Sequence, residues 1–423
     1  AQERMVVSVP KQHVDELLKL AAGEDVEATV FGTFGTADRQ LILNYRGEEV
    51  GRLSMRFLHD GIPMPTRKAV VTESRAPQKS PRMATRGLSS AGAVHDFRDR
   101  LLKTLAHPNI ASKHWIIRQY DHEVQGGSVI KPLIGPQQIG PSDAAVVRPK
   151  LSSTRGVAIG CGLSPQIVDS YEMSIAAIDE AIRNVVAVGA DYDRIAILDN
   201  FCWPSVDDER TMGTLVRACE ACYDAAKAYA IPFISGKDSL HNQFTNQETG
   251  EVLRIPSTLL ISAIGIVEDI RKCVTMDLKN RTARVCLVSA KDPADLKSLA
   301  ATHRLVAQSI AAGEIVACHD ISDGGVAVAA AEMCIASGLG MIVGEELVAD
   351  EEAFAERAGR YLIELREPTL ADELRQRFSS AAEVVEFGLV QHLRKLTVTS
   401  TKSRVEEIGL EDLTNAWRGT LDW

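Results

Sequence analysis

One stretch constrains this chain more than any other: Ser174–Ala190, SIAAIDEAIRNVVAVGA. It reads as a helix, with Ile175, Ile178, Ile182, Val185 and Val186 recurring at the spacing that places them on one face. Roughly opposite that stripe lie Glu180 and Asn184, one turn apart. Their neighbours are Ala176, Ala177 and Ala187 instead of the Lys, Glu and Gln of a wet surface. Small neighbours leave room beside a carboxylate and an amide, two oxygen donors at i and i+4 suited to a hard cation such as Mg²⁺. A solvated face that happens to be rich in alanine explains the same letters, and this window alone leaves that plainer reading ahead.

At 423 residues the chain is too long for one ordinary core, so two or three domains are expected. The net charge is −10 with no Lys/Arg-rich block, which argues against nucleic acid as a partner. There is no apolar run of membrane-spanning length and no signal-peptide pattern, so a cytoplasmic protein without a membrane partner is expected. Of the eight cysteines only Cys219 and Cys222 form a C-x-x-C, inside a helical pattern with no second pair nearby. That points to thiols in a reducing compartment and away from zinc.

Taken in order, residues 4–9 alternate like a strand, Pro10–Leu20 reads as a helix and Val26–Phe34 as a second strand. Leu41–Tyr45 and Glu49–Leu53 read as a hairpin around Arg46-Gly47. Near the other end, 360–365 (strand), 369–378 (helix), 384–388 (strand ending Phe-Gly) and 396–400 (strand) repeat that order. Phe31-Gly32 thereby recurs as Phe387-Gly388. A repeat at that separation implies duplication of a whole domain pair and makes 1–60 the tail of a first copy. Residues 61–92, rich in Pro, Ser and basic residues, read as a linker. Residues 93–278 and 279–423 then read as two α/β (α+β) domains, the first built on a mixed sheet.

Four polar clusters punctuate these domains: GPSDAAVVRP with Asp143, Asp199-Asn200 after the strand RIAIL, SGKDS (235–239), and HDISDGG (319–325) before an Ala-rich helix. Gly-Lys-x-Ser lacks the first glycine of a P-loop and no helix clearly follows it. HDISDGG can be an ordinary turn and helix cap, or backbone N–H groups offered to a phosphate. Together the clusters supply Asp143, Glu180, Asn184, Asp199, Asp238 and Asp320 with Lys113 and Lys237, a set suited to a Mg²⁺–nucleotide site. Neither G-x-S-x-G nor H-E-x-x-H occurs, and a covalent Ser or Cys mechanism finds no support.

In this order DEAIRNVVAVGAD, RIAILDNFCW, LVRACEACYDAA, PFISGKDSLHN and HDISDGG resemble the second half of the phosphoribosylformylglycinamidine synthase family of purine biosynthesis. The resemblance covers nearly the whole chain. It implies a duplicated aminoimidazole ribonucleotide synthase-like fold and an ATP- and Mg²⁺-dependent ligase that aminates formylglycinamide ribonucleotide with ammonia from glutamine. It further implies Asp199 and Gly236 toward ATP, position 237 toward metal and Ser239 toward substrate. Lys237 departs from the family there, because an ammonium cannot ligate Mg²⁺. A second nucleotide site, with its metal, is implied at Lys113, Asp143, Glu180, Asn184, Asp320 and Ser322, retaining ADP. The family's catalytic histidine belongs to the first half, so no catalytic residue is expected here and the chain alone is expected to be inactive. The implied partners are that N-terminal half, a glutaminase subunit and a small bridging subunit. The rival readings are a nucleotide-binding scaffold half, or another enzyme of the superfamily such as selenophosphate synthetase or thiamine-phosphate kinase.

Overall fold

The computed structural model describes residues 4–71, 97–123, 125–348, 351–399 and 405–422. It divides into two compact units, Ala1–Thr66 and Arg67–Trp423. Most of the expected linker, residues 72–92, lies outside the described residues.

The first unit holds helix α1 (Val14–Gly23), an antiparallel hairpin of β1 (Gln40–Tyr45) and β2 (Glu48–Ser54), and helix α2 (Met55–Asp60). The Ser54 hydroxyl starts α2 by accepting the Phe57 N–H at 3.1 Å. The expected helix and hairpin are present, but the strands expected at 4–9 and 26–34 are not. Alternation alone does not make a strand. Its N–H and C=O groups need a ladder partner, and the described residues of this unit form only the β1–β2 sheet. Met5, Phe31 and Phe34 are accordingly 91%, 77% and 79% exposed.

The second unit opens with α3 (Phe97–Leu105) and α4 (His114–Arg118), followed by β3 (Ser128–Ile130), β4 (Ala145–Val147), β5 (Gly156–Leu163) and α5 (Ser170–Ala187). Next come β6 (Ile195–Cys202), α6 (Glu209–Tyr229), β7 (Phe233–Ser239), the small hairpin of β8 (Gln243–Thr245) and β9 (Val252–Arg254), and β10 (Thr258–Val267). Six of these strands form a sheet of order β3-β4-β5-β10-β6-β7, antiparallel except for the parallel β6–β7 edge. SGKDS therefore lies within strand β7 and Asp199-Asn200 within β6, so both strands run beyond the apolar residues that mark them in the sequence. The parallel ladder Asp199↔Gly236 through Cys202↔Ser239 recruits these polar residues as an edge pair.

A second sheet follows from β11 (Arg284–Ala290), α7 (Leu296–Ala312), β12 (Ile315–Asp320), α8 (Gly325–Ser337), β13 (Gly340–Gly344) and β14 (Arg360–Leu365). It is completed by α9 (Leu370–Phe378), β15 (Ala382–Gln391), β16 (Lys395–Thr399), β17 (Glu406–Gly409) and the C-terminal α10 (Leu410–Gly419). Its order is β12-β14-β11-β15-β13-β16-β17, with β13–β16 the parallel pair. The C-terminal copy of the proposed repeat thus forms its strands β14, β15 and β16 because β11, β12 and β13 lie beside them. Among the described residues no helix is long and apolar enough to cross a membrane.

Helix α5 is the keel. Asp169 caps it, accepting the Tyr171 and Glu172 N–H groups at 3.0 Å each. One side packs on β5 and β10, while α6, α7 and β12 close over the rest. It is therefore covered nearly all round, and the open Ala-rich face allowed by the sequence does not exist. The alanines and Gly162 serve close approach instead. A Cβ at 162 would stand 2.1 Å from the Ala177 carbonyl oxygen and 2.6 Å from the Ala181 nitrogen. Gly162→Ala is expected to lower unfolding stability by about 2 kcal/mol. Gly419→Ala, into open space, should stay within about 0.5 kcal/mol. Urea midpoints at unchanged slope measure both.

Candidate functional site

The polar heart of the second unit is a charge pair within α5. Asp179 and Arg183, one turn apart, are 0% and 1% exposed and form a close ion pair. The Asp179 carboxylate also meets His303 Nε2 at 2.8 Å and accepts the Tyr229 hydroxyl at 3.2 Å and the Gly359 N–H at 3.0 Å. His303 Nδ1 reaches the Tyr361 hydroxyl at 2.7 Å. Residues of α5, α6, α7, β14 and the turn before β14 are thereby tied at one point. Burial raises the Asp179 pKa, but the charges of His303 and Arg183 outweigh it and hold the carboxyl below its usual range.

From this anchor Arg183 reaches along the seam between the two sheets. Its Nη2 lies 3.4 Å from Asp320 Oδ2, 3.4 Å from the Ile321 carbonyl oxygen and 3.5 Å from Glu356 Oε1. Burial is the main force pushing the Asp320 and Glu356 pKa values up to about 7; the Arg183 charge opposes it and neighbouring carboxylates add to it. Glu180 is pushed well above its ordinary value by burial and by the charges of Glu356 and Asp320. Asp143 lies beside Asp320, its Oδ1 accepting the Asp320 N–H at 3.0 Å and meeting His319 Nδ1 at 2.7 Å. His319 Nε2 lies 3.2 Å from Glu332. Burial disfavours the imidazolium, yet the Asp143 and Glu332 carboxylates hold its pKa well above the usual value. The other Asp143 oxygen, Oδ2, is buried with no hydrogen-bond partner among the described residues.

The seam thus gathers Asp143, Glu180 and Asp320, as the sequence reading required, and adds four residues it missed: Arg183, His319, Glu332 and Glu356. An i,i+4 acid–base pair bracketed by Ile178, Ile182 and Val185 was the available signal for Arg183. Two expected ligands have structural duties. Asn184 Nδ2 donates to the Cys161 carbonyl at 2.8 Å and Glu180 accepts the Leu163 N–H at 2.8 Å. Both serve β5 beyond Ile159, where β4 no longer runs alongside. The Lys113 ammonium donates to the carbonyls of Pro108, Asn109 and Ala111, at 2.8, 3.0 and 2.5 Å. Burial lowers its pKa, opposed by Glu332 and Asp323. Ser322 sits in the turn before α8, where its carbonyl accepts the Gly325 N–H at 3.0 Å. A Cβ at Gly325 would stand 2.6 Å from the Ala353 carbonyl oxygen, so that glycine answers to packing.

The acid oxygens of the seam suit a hard cation: one, Asp143 Oδ2, is orphaned, and burial together with neighbouring carboxylates holds Glu180, Asp320 and Glu356 above their normal range. Asp143, His319 and Asp320 bring one ligand atom each within 4.8 Å of one another.

The remaining expected residues form a separate group on the β6–β7 edge. Register partners share a face, so Asp199 and Gly236 lie on one side of the sheet and Lys237 and Ser239 on the other. A Cβ at 236 would stand 2.5 Å from Asp199 Oδ1. Burial and Asp238 raise the Asp199 pKa. Lys237 Nζ contacts the Ser239 hydroxyl, and an ammonium there offers no lone pair to a metal.

This fold and this seam define an AIR synthase related domain pair. Residues 112–266 match the FGAR-AT PurM_N-like domain and residues 262–400 match the AIR synthase related protein, C-terminal domain. The curated relatives that the chain resembles carry the name phosphoribosylformylglycinamidine synthase subunit PurL. It is 30% identical to the Deinococcus radiodurans protein of that name over 460 residues, covering 100% of this chain and 58% of the relative. With the Chelativorans sp. protein it shares 28% over 390 residues, covering 86% and 49%. The chain spans about half the length of the curated relatives it matches. The fold resembles Thermotoga maritima PurL complexed with ADP, at TM-score 0.56 and 16% identity, over 76% of this chain and 52% of that one. The same protein complexed with FGAR gives TM-score 0.55 at 15% identity, over 75% and 53%.

The raised carboxyls set a pH dependence. An unfolded Glu titrates near about 4.3, whereas Glu356 titrates near 7 when folded. Between those values the native state holds a proton that the unfolded state releases, so this residue's contribution to stability falls as pH rises and is flat above about pH 8. Glu356→Gln removes that slope. Relative to the parent, the variant should gain stability between pH 4.5 and pH 8, read as a diverging difference in urea midpoints. Asp179 acts below this window, and it is common to both proteins.

Proposed function

We propose that this chain is the nucleotide-holding half of an ATP-dependent amidoligase of purine biosynthesis. The reaction converts formylglycinamide ribonucleotide and glutamine-derived ammonia to formylglycinamidine ribonucleotide, ADP and phosphate. In that reaction the γ-phosphoryl group of ATP is transferred to the amide oxygen, making it a leaving group. Ammonia then adds to the carbon, and phosphate departs with the C–O bond as the amidine forms. Mg²⁺, when bound, offsets the charge of the nucleotide phosphates.

The observation that carries this reading is the unbalanced acid cluster at the seam, with the buried and unpartnered Asp143 Oδ2 at its centre. Asp143, Glu180 and Asp320 are the residues that would hold the cation, with Asn184 fixing the strand beside them. Lys113 and Ser322 flank the turn where a phosphate would lie. We assign Asp199 and Gly236 to the ATP side of the β6–β7 edge and Ser239 to the substrate side. Metal binding at Lys237 is not part of the proposal. Working partners would be a first domain pair, a glutaminase subunit and a small bridging subunit, in the cytoplasm.

Two measurements test this. With ATP, Mg²⁺, formylglycinamide ribonucleotide and ammonium chloride, the isolated chain should form no amidine, and adding the N-terminal half of a full-length relative should start ADP release. Amidine made by the chain alone would refute the division of labour, while ADP binding without any ADP release in the mixture would favour the scaffold reading. Separately, Mg²⁺-dependent ADP binding should weaken at least about tenfold in Asp320→Asn, the loss expected for one charge-assisted contact. Unchanged ADP affinity there would remove the nucleotide from the seam.

A further inference from the structure

Arg183 is fixed more firmly than a side chain near a binding site needs to be. Its Nη1 pairs with Asp179, which is itself held by His303 Nε2, the Tyr229 hydroxyl and the Gly359 N–H. The other terminal nitrogen faces Asp320, Glu356 and the Ile321 carbonyl oxygen at 3.4 to 3.5 Å. The side chain is 1% exposed, and its Nε, also buried, has no partner among the described residues. The guanidinium therefore stands among four carboxylates from three places in the chain: Asp179 and Glu180 on α5, Asp320 at the end of β12, and Glu356 before β14. Carboxylates so buried and so close repel one another unless a cation stands between them.

We infer that Arg183 is a positioning residue, the built-in counter-cation of the seam. It holds Asp320 and Glu356 in place and keeps the two sheets in register without a bound metal. This inference stands on the seam geometry and does not depend on whether a nucleotide binds there. It explains why the cluster is closed by protein charge on the Asp179 side, while Asp143, paired with His319 through Oδ1, leaves Oδ2 without a partner among the described residues. Arginine suits the task because its planar fork engages Asp179 through one nitrogen and Asp320 and Glu356 through the other, and it cannot shed its proton.

Arg183→Met keeps the packing of the stem and removes the charge. Followed by thermal unfolding of the full chain, its midpoint in EDTA should fall by about 5 °C or more. MgCl₂ or MnCl₂ alone, without nucleotide, should restore more of that loss than the same salts add to the parent. The double variant Arg183→Met/Glu356→Gln should regain part of the midpoint in EDTA, because one of the repelling carboxylates is gone. Arg183→Lys, which keeps the charge, should depend on divalent cation less than Arg183→Met does.

Equal response of parent and Arg183→Met to the divalent salts would overturn the inference. So would a double variant no more stable than the single one, since a packing role gains nothing from losing Glu356. If Arg183→Met yields no folded protein, the comparison moves to the double variant in EDTA. Folding of the double variant upholds charge compensation, and its failure refutes it. Failure of ADP to bind leaves all these outcomes unaffected, so the two proposals fall separately.

Discussion

Everything in the larger unit converges on the Asp179–Arg183 pair inside α5. A buried ion pair is a poor source of stability in itself, because desolvating both charges costs about as much as their attraction returns. Its value lies in direction. Asp179 collects donors from α6, α7 and the turn before β14, while Arg183 gathers carboxylates from β12 and the loop at Glu356. An apolar seam of equal area would tolerate sliding of one sheet past the other. This one is fixed by hydrogen bonds whose loss would strand a charge out of water.

That placement explains why several acids collect here. Strand ends in an α/β fold present polar groups at the edge of a sheet, and here β12 delivers Asp320 against the face of α5. Asp143, entering from the segment before β4, binds the Asp320 N–H and His319 together. The imidazolium of His319 stands against Asp143 and the guanidinium against Asp179, while burial first and neighbouring carboxylates second raise the pKa values of Asp320, Glu180 and Glu356. A cation placed among these acids would ease the repulsion between them.

Much of this was legible in the letters. The apolar spacing of α5, the hairpin at Arg46-Gly47 and the strands β6 and β14 follow from periodicity and turn signals, whereas setting Asp143, Glu180 and Asp320 apart from Asp199 follows from the family resemblance. The failures have physical reasons. Residues 4–9 and 26–34 carry strand alternation, but pairing is a property of neighbours, which a one-dimensional pattern does not contain. Glu180 and Asn184 seemed to mark an open face because small residues surround them, yet small residues equally mark the closest approach of backbone to backbone, as at Gly162. Arg183 carries a charge that usually faces solvent, and its partner at i−4 is the clue that it can be buried. His319 and Glu356 were invisible because their significance arises only from proximity across more than a hundred positions.

The edge group shows how a motif can be split by pleating. Asp199, Gly236, Lys237 and Ser239 look like one cluster on paper, since the last three are nearly consecutive. In the β6–β7 ladder Asp199 and Gly236 face the helix side, while Lys237 and Ser239 face the opposite side. A ligand touching all four must straddle the edge of the sheet, and β7 is an edge strand that permits it. Gly236 has a reason to be glycine before any ligand arrives: the Asp199 carboxylate occupies the space a Cβ would take. The two residues are therefore one device, a strand-borne carboxylate given room by its neighbour's missing side chain. A role for either at the edge is inherited by the other.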